Sequence, residues 1–220
     1  MLETQTTPNN RITLSHPVIL ASGSPRRREL LESLGLAFEV IVPNVDEEGF
    51  HLDHLSPAEV VKFLARTKAQ EVYKHHNQSY VIGSDTLVAI QGEIFGKPKS
   101  KEDAFRMLKA LQGNAHQVHT GIAIFSPDTQ PVNTPPAETL PPMVCEALTT
   151  TVCMRPLSDA EIHAYIETGE PMDKAGAYAI QGYGSTLIER VDGCYFNVVG
   201  LSLYLLDRLF GQLGQSLLLP

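Results

Sequence analysis

The chain has 220 residues, 43% hydrophobic and 19% charged, a composition that suits a globular protein with a sizeable buried core. Its 17 Lys and Arg stand against 25 Asp and Glu, a net charge of −8. That balance disfavours nucleic acid and anionic membranes as partners and leaves room for a small anionic ligand in a local basic pocket. The three cysteines lack CxxC spacing, which argues against a disulfide framework or zinc site and suits a cytoplasmic compartment. No apolar run reaches the roughly 18 residues of a membrane span.

Residues 1–15 are polar and predict a flexible N-terminal arm ahead of a single domain over 16–220. Val18-Ile19-Leu20 reads as a strand that runs into Ala21-Ser22-Gly23-Ser24-Pro25. Ser24 suits an N-cap and Pro25 the first helical position, so a helix is expected over 25–34, stopped by Gly35. Arg26, Arg27 and Arg28 then occupy its first turn, where the helix dipole is already positive. Either they form a solvated patch, or they join the free N–H groups in holding phosphate. Phe38–Val42 reads as a second strand, followed by the acidic turn Asp46-Glu47-Glu48. These carboxylates are either solvated or part of an oxygen site for a hard cation.

Ser56-Pro57-Ala58-Glu59 is a capping box that opens a helix to about His75. Tyr80–Ser84 reads as a short buried strand with Asp85 at its carboxyl end, where α/β folds place chemistry. Asp85 is either a turn cap or a carboxylate that ligates Mg²⁺ or takes a proton from water. Leu87–Ile90, Gln91-Gly92 and Glu93–Phe95 read as a hairpin that brings Lys97 back near Asp85. A helix from Ser100 to Leu111 and a strand over Val118–Phe125 follow. Residues 126–142 hold six prolines and predict an exposed excursion before a strand over Val144–Met154. A second capping box, Ser158-Asp159-Ala160-Glu161, starts a helix to Thr168. The glycine-rich stretch 169–184 carries Asp173, Lys174 and Gln181 and is long enough to line a pocket. Gln181 both donates and accepts, which suits a base edge; Asp173–Lys174 reads equally as a surface ion pair. A strand over Thr186–Val191 and a helix from Leu201 to about Leu213 complete an alternating α/β pattern. No P-loop, GxGxxG after a strand, HExxH or GxSxG motif is present, and His51, His54, His75 and His76 read as surface residues.

These segments together resemble the Maf family of nucleoside triphosphate pyrophosphatases. The resemblance rests on ASGSPRRRELL, NVDEE, LARTKA, IGSDTLV, GEIFGKP, HTGIAI, LSDAEIHAYIETGEPMDKAGAYAIQGYG and NVVGLSL, in one order over residues 18–206. It implies an α/β fold: an elongated mixed β-sheet flanked by helices, ITPase-like, with the active cleft between two lobes. SPRRRELL, SDT and MDKAGAYAIQG resemble the branch that acts on dTTP and UTP. That branch implies hydrolysis to the monophosphate and pyrophosphate, with a role in excluding modified nucleotides or in arrest of cell division. The alternatives are the sibling branch, associated with 7-methyl-GTP, and a nucleotide-binding regulator of division without turnover. The resemblance makes Asp85 the proton acceptor and Glu47 with Asp85 the ligands of a divalent cation, Mg²⁺ or Mn²⁺. It assigns catalysis also to Lys68, Lys97 and Lys174, and substrate binding to Ser22, Arg26, Arg27, Thr86 and Gln181. Arg26, Thr86 and Gln181 form its specificity set. It also implies a homodimer. Two positions depart from its pattern: Cys194 stands where a small hydroxyl is common, and Ser202 where proline is common.

Overall fold

The computed structural model describes residue 12 and residues 14–47, 49–128 and 142–218. Most of the expected arm over 1–15, Glu48 of the acidic turn and residues 129–141 of the proline-rich segment lie outside the described residues.

Strands β1 (Val18–Ala21), β2 (Glu39–Val40), β3 (Tyr80–Ile90), β4 (Glu93–Phe95), β5 (Ala115–Phe125), β6 (Met143–Met154) and β7 (Ile188–Asp192) form one mixed sheet. Its order is β2-β1-β3-β5-β6-β7, with β4 also paired to β3. β1 runs parallel to β2 and β3, and the other pairings are antiparallel. The helices are α1 (Pro25–Ser33), α2 (Pro57–Tyr73), α3 (Lys101–Leu111), α4 (Asp159–Glu167), α5 (Tyr195–Val199) and α6 (Leu203–Gln212).

Both faces of the central strands are covered, so β1 and residues 80–82 of β3 read as continuous apolar runs rather than as an alternation. Val18, Leu20, Tyr80 and Ile82 pack with Leu30, Leu31, Leu205 and Leu209 of α1 and α6. Ile19, Ala21 and Val81 pack on the other face with Ala65, Ala69 and Val72 of α2. A further core joins Phe95, Leu108, Leu111, Val152, Ile162 and Ile166. Two glycines set how close α2 comes. A Cβ at Gly83 would lie 2.2 Å from the Ala65 carbonyl oxygen, and one at Gly121 would lie 2.4 Å from that of Val61.

Local signals account for the helix starts. Ser56 and Ser158 form capping boxes with Glu59 and Glu161, and Ser100 accepts from the Asp103 amide. Ser24 starts α1 without a side-chain cap; instead the Ser24 N–H donates to Ser22 Oγ at 3.2 Å. Gly35 stops α1 at φ +71°. Ser202 caps α6 through the Leu205 amide and also meets Cys194, Oγ to Sγ 3.4 Å. The two departures from the family pattern are therefore neighbours.

Three expectations need correction. The strand expected to end at Ser84 continues to Ile90, so Asp85 lies inside β3 and not at its carboxyl end. Pairing of Asp85 with Gly121 and of Thr86 with Thr120 holds the chain extended against the turn preference of Asp. The second strand is confined to Glu39–Val40. The last strand, expected from Thr186, starts at Ile188, because Gly182–Leu187 form a 3-10 helix. The expected last helix is α6, preceded by the unexpected short helix α5, which ends at Gly200 with φ +125°.

Candidate active site

β1 pairs with β3 only as far as Gly83, and β4 joins the same edge only from Val88. Over Ser84–Leu87 that edge of β3 therefore has no strand beside it, and a cleft opens there. Side chains alternate along a strand. Asp85 accordingly faces α2, while Ser84 and Thr86 face α1 and the loop before α6.

On the α2 side, Lys68 Nζ donates to Asp85 Oδ1 at 2.5 Å and pairs with Glu47 Oε1 at 2.9 Å. Lys68 occupies the core-facing stripe of α2 with Val61, Ala65, Ala69 and Val72. The Lys68 and Asp85 side chains are each 13% exposed. Burial raises the Asp85 pKa above the ordinary carboxylate value, against the pull of Lys68 and Arg27. Two carboxylates thus converge on one cation, the Lys68 ammonium. That fits a hard divalent ion, which needs only one or two carboxylates beside substrate phosphates. No cluster of three or more His, Cys, Asp or Glu suited to a metal occurs among the described residues.

On the other side, Arg27 is an organiser. Its Nε donates to the Gly200 carbonyl at 2.8 Å, Nη1 to the Ser84 carbonyl at 2.8 Å and to Ser22 Oγ at 3.2 Å, and Nη2 to Thr86 Oγ1 at 3.2 Å. Thr86 continues to Thr120 Oγ1 at 2.9 Å, and Thr120 donates to the Asn197 carbonyl at 2.8 Å. The guanidinium ties the first loop to β3 and to the turn before α6.

Arg26 points elsewhere. Its Nη1 pairs with Asp173 Oδ2 at 2.9 Å, and Asp173 Oδ1 also takes Lys174 Nζ at 2.5 Å. Against a partial burial penalty, hydrogen bonds from Lys174 and Arg26 hold the Asp173 carboxyl below its ordinary value. Asp173 also lines the cleft, and its sequence signal, one acid beside a lysine, could not separate it from a surface pair. Lys97 is exposed and has no ion-pair partner among the described residues.

Ser22, Arg26, Arg27, Glu47, Lys68, Asp85, Thr86 and Lys97 all line one cleft of about 690 Å³. Lys174 and Gln181 line a smaller pocket with Tyr178, Val88 and Val118. The two share Arg26, Thr86 and Ala175. The ten side chains singled out in the sequence therefore form a continuous site that crosses the open edge of β3, cationic and acidic on one side and mixed apolar and amide on the other.

A family model described as Maf-like protein matches residues 17–213. This chain belongs to the Maf family. Among its relatives, a protein named dTTP/UTP pyrophosphatase from Dictyoglomus thermophilum is 47% identical over 201 residues, 91% of this chain and 98% of that protein. One of the same name from Caldicellulosiruptor bescii is 45% identical over 206 residues, 91% of this chain and 96% of that one. Of solved structures, the Ham1 protein of Staphylococcus aureus aligns at TM-score 0.42 and 18% identity, over 78% of this chain and 79% of that one. The cleft of this Maf chain thus lies wholly within the matched residues. No helix among the described residues is long and apolar enough to cross a membrane.

Proposed function

We propose that this Maf protein hydrolyses dTTP and UTP to the monophosphate and pyrophosphate. The observation that carries the reading is the convergence of Asp85 and Glu47 on the Lys68 ammonium, at 2.5 and 2.9 Å, in the same cleft as Arg26 and Lys97. Relatives that share 45–47% of its residues carry the name of that activity.

Asp85 takes a proton from water, and the oxygen attacks the α-phosphorus. The bond from the α-phosphorus to the bridging oxygen breaks, and pyrophosphate leaves with the electron pair. Burial makes Asp85 a better base than an ordinary carboxylate. Glu47 and Asp85 would hold Mg²⁺ or Mn²⁺, which would supply charge stabilisation at the phosphates. Lys68, Lys97, Lys174 and Arg26 face the charge that grows on the leaving group. Such preorganised donors are worth roughly 10²–10³ in rate each. The cations that looked misplaced at the start of α1 divide the work: Arg27 fixes the floor of the site, and Arg26 serves the ligand.

The base enters the smaller pocket. Uracil and thymine present an acceptor–donor–acceptor edge, and the exposed Gln181 amide meets it with one N–H and one carbonyl. Held in that one orientation, the amide would be mispaired with the amino group and unprotonated N3 of cytosine. The family resemblance also supports a homodimer, and three free cysteines accord with a cytoplasmic location.

The test is pyrophosphate release from a panel of UTP, dTTP, CTP and 7-methyl-GTP with Mg²⁺ or Mn²⁺. Preference for UTP and dTTP is expected, and Gln181→Ala should erode the UTP:CTP preference more than metal dependence. Preference for 7-methyl-GTP, or binding without turnover, overturns the reading.

A further inference from the structure

We infer that Glu170 is the positioning residue that sets base choice, by clamping both walls of the pocket that holds Gln181. This rests on the reading of Gln181 given above. Glu170 opens the first of three 3-10 turns, over Glu170–Asp173, Ala175–Ala177 and Gly182–Leu187. Its carbonyl accepts from Lys174 Nζ at 2.7 Å, which fixes the ammonium at one wall. Its carboxylate reaches the other wall. Oε1 accepts from the Tyr183 N–H at 3.0 Å, and Oε2 accepts from the Gly184 N–H at 2.8 Å and from the Tyr165 hydroxyl at 2.7 Å. The Tyr165 oxygen in turn accepts from the Ala179 N–H at 3.0 Å. Gln181 therefore sits on a backbone span held at Ala179, Tyr183 and Gly184, all through one carboxylate.

The glycines beside Gln181 show how closely that clamp is fitted. A Cβ at Gly182, where φ is +67°, would lie 2.1 Å from Glu170 Oε1. One at Gly184 would lie 2.2 Å from the Ala179 carbonyl oxygen and 2.6 Å from the Tyr165 hydroxyl. The Glu170 side chain touches none of Asp85, Lys68 and Lys174 in any hydrogen bond or ion pair among the described residues. The bond to Lys174 is made by the main-chain carbonyl, which a side-chain substitution keeps; the influence of the carboxylate therefore falls on the base and not on the reacting phosphorus. An ionised carboxylate accepts all three donors at once; an amide in its place turns an N–H toward at least one of them.

Glu170→Gln tests this, with Gln181→Ala and wild type measured alongside for kcat and KM on UTP and CTP. The expected result is a UTP:CTP preference that falls roughly tenfold, the worth of one misplaced hydrogen bond, with the loss in KM for UTP rather than in kcat. Tyr165→Phe removes only the hydroxyl bridge to Ala179, and a smaller fall in the same ratio is expected. It decides the matter should Glu170→Gln fail to fold, as read by its thermal melt. Folded variants that lose kcat equally on both nucleotides and keep the wild-type ratio overturn the inference, provided Gln181→Ala has lost it. An unchanged ratio in Gln181→Ala overturns the base reading itself, and the role of Glu170 with it.

Discussion

At the scale of single residues, the ion triad of Glu47, Lys68 and Asp85 makes the two partners of one short bond unequal. Asp85→Asn removes the base but leaves Lys68 paired with Glu47 at 2.9 Å. We expect kcat to fall by about 10²–10⁴, the usual worth of a general base, with little change in melting temperature. Lys68→Met instead strips the close partner from a carboxylate whose side chain is 13% exposed. Breaking a buried pair in this way costs about 3–5 kcal/mol, and the double variant Lys68→Met with Asp85→Leu should regain much of it. Denaturant melts of the three variants check the asymmetry; equal destabilisation by Asp85→Asn and Lys68→Met would contradict it. Part of this was legible in the sequence. Lys68 falls on the apolar stripe of α2, where a lysine needs a buried reason. Asp173 and Glu170 were not legible as site residues, because acids in a glycine-rich stretch show no phase and their partners lie far along the chain or across a turn.

At the scale of elements, the site depends on how closely α2 rides on β3 and β5. Gly83 and Gly121 permit that approach, with their missing Cβ atoms aimed at the backbone of α2. Gly83→Ala should cost about 1–3 kcal/mol by overpacking. It should also lower the activity of the molecules that remain folded, since lifting α2 draws Lys68 from Asp85. A variant with lowered melting temperature but wild-type kcat would show that the helix seating and the triad are independent. Capping boxes, glycine stops and apolar stripes placed the starts of α1, α2, α3, α4 and α6 within about two residues, since these signals act over four residues or fewer; α5, which carries none of them, was not legible. Strand limits were less readable. β3 runs through Asp85 because β5 pairs with it residue by residue, and that partner lies some 35 positions away.

At the scale of the whole molecule, the buried His116–Tyr178 pair ties β5 to the segment behind the base pocket, Nε2 to hydroxyl oxygen 2.7 Å. Burial lowers the His116 pKa from 6.5 to about 4. The unfolded chain therefore binds the proton first on acidification. This contribution to stability is present in full above pH 6.5 and fades as pH falls toward 4, by about 3 kcal/mol in all. His116→Gln should flatten that acid slope in melts between pH 7 and 4; an unchanged slope would assign it to other groups. Where most helices begin and which stretches are buried were determined by the sequence itself, because they follow from local propensity, capping and periodicity; the residues of the site were marked by motifs that resemble the Maf family. Tertiary structure alone decided that β1 and β4 leave four residues of one edge of β3 open. It thereby decided that Asp85 and Thr86, neighbours in the chain, face opposite sides of the sheet and yet line one cleft. That outcome depends on strand pairing between distant segments, which no local window of residues contains.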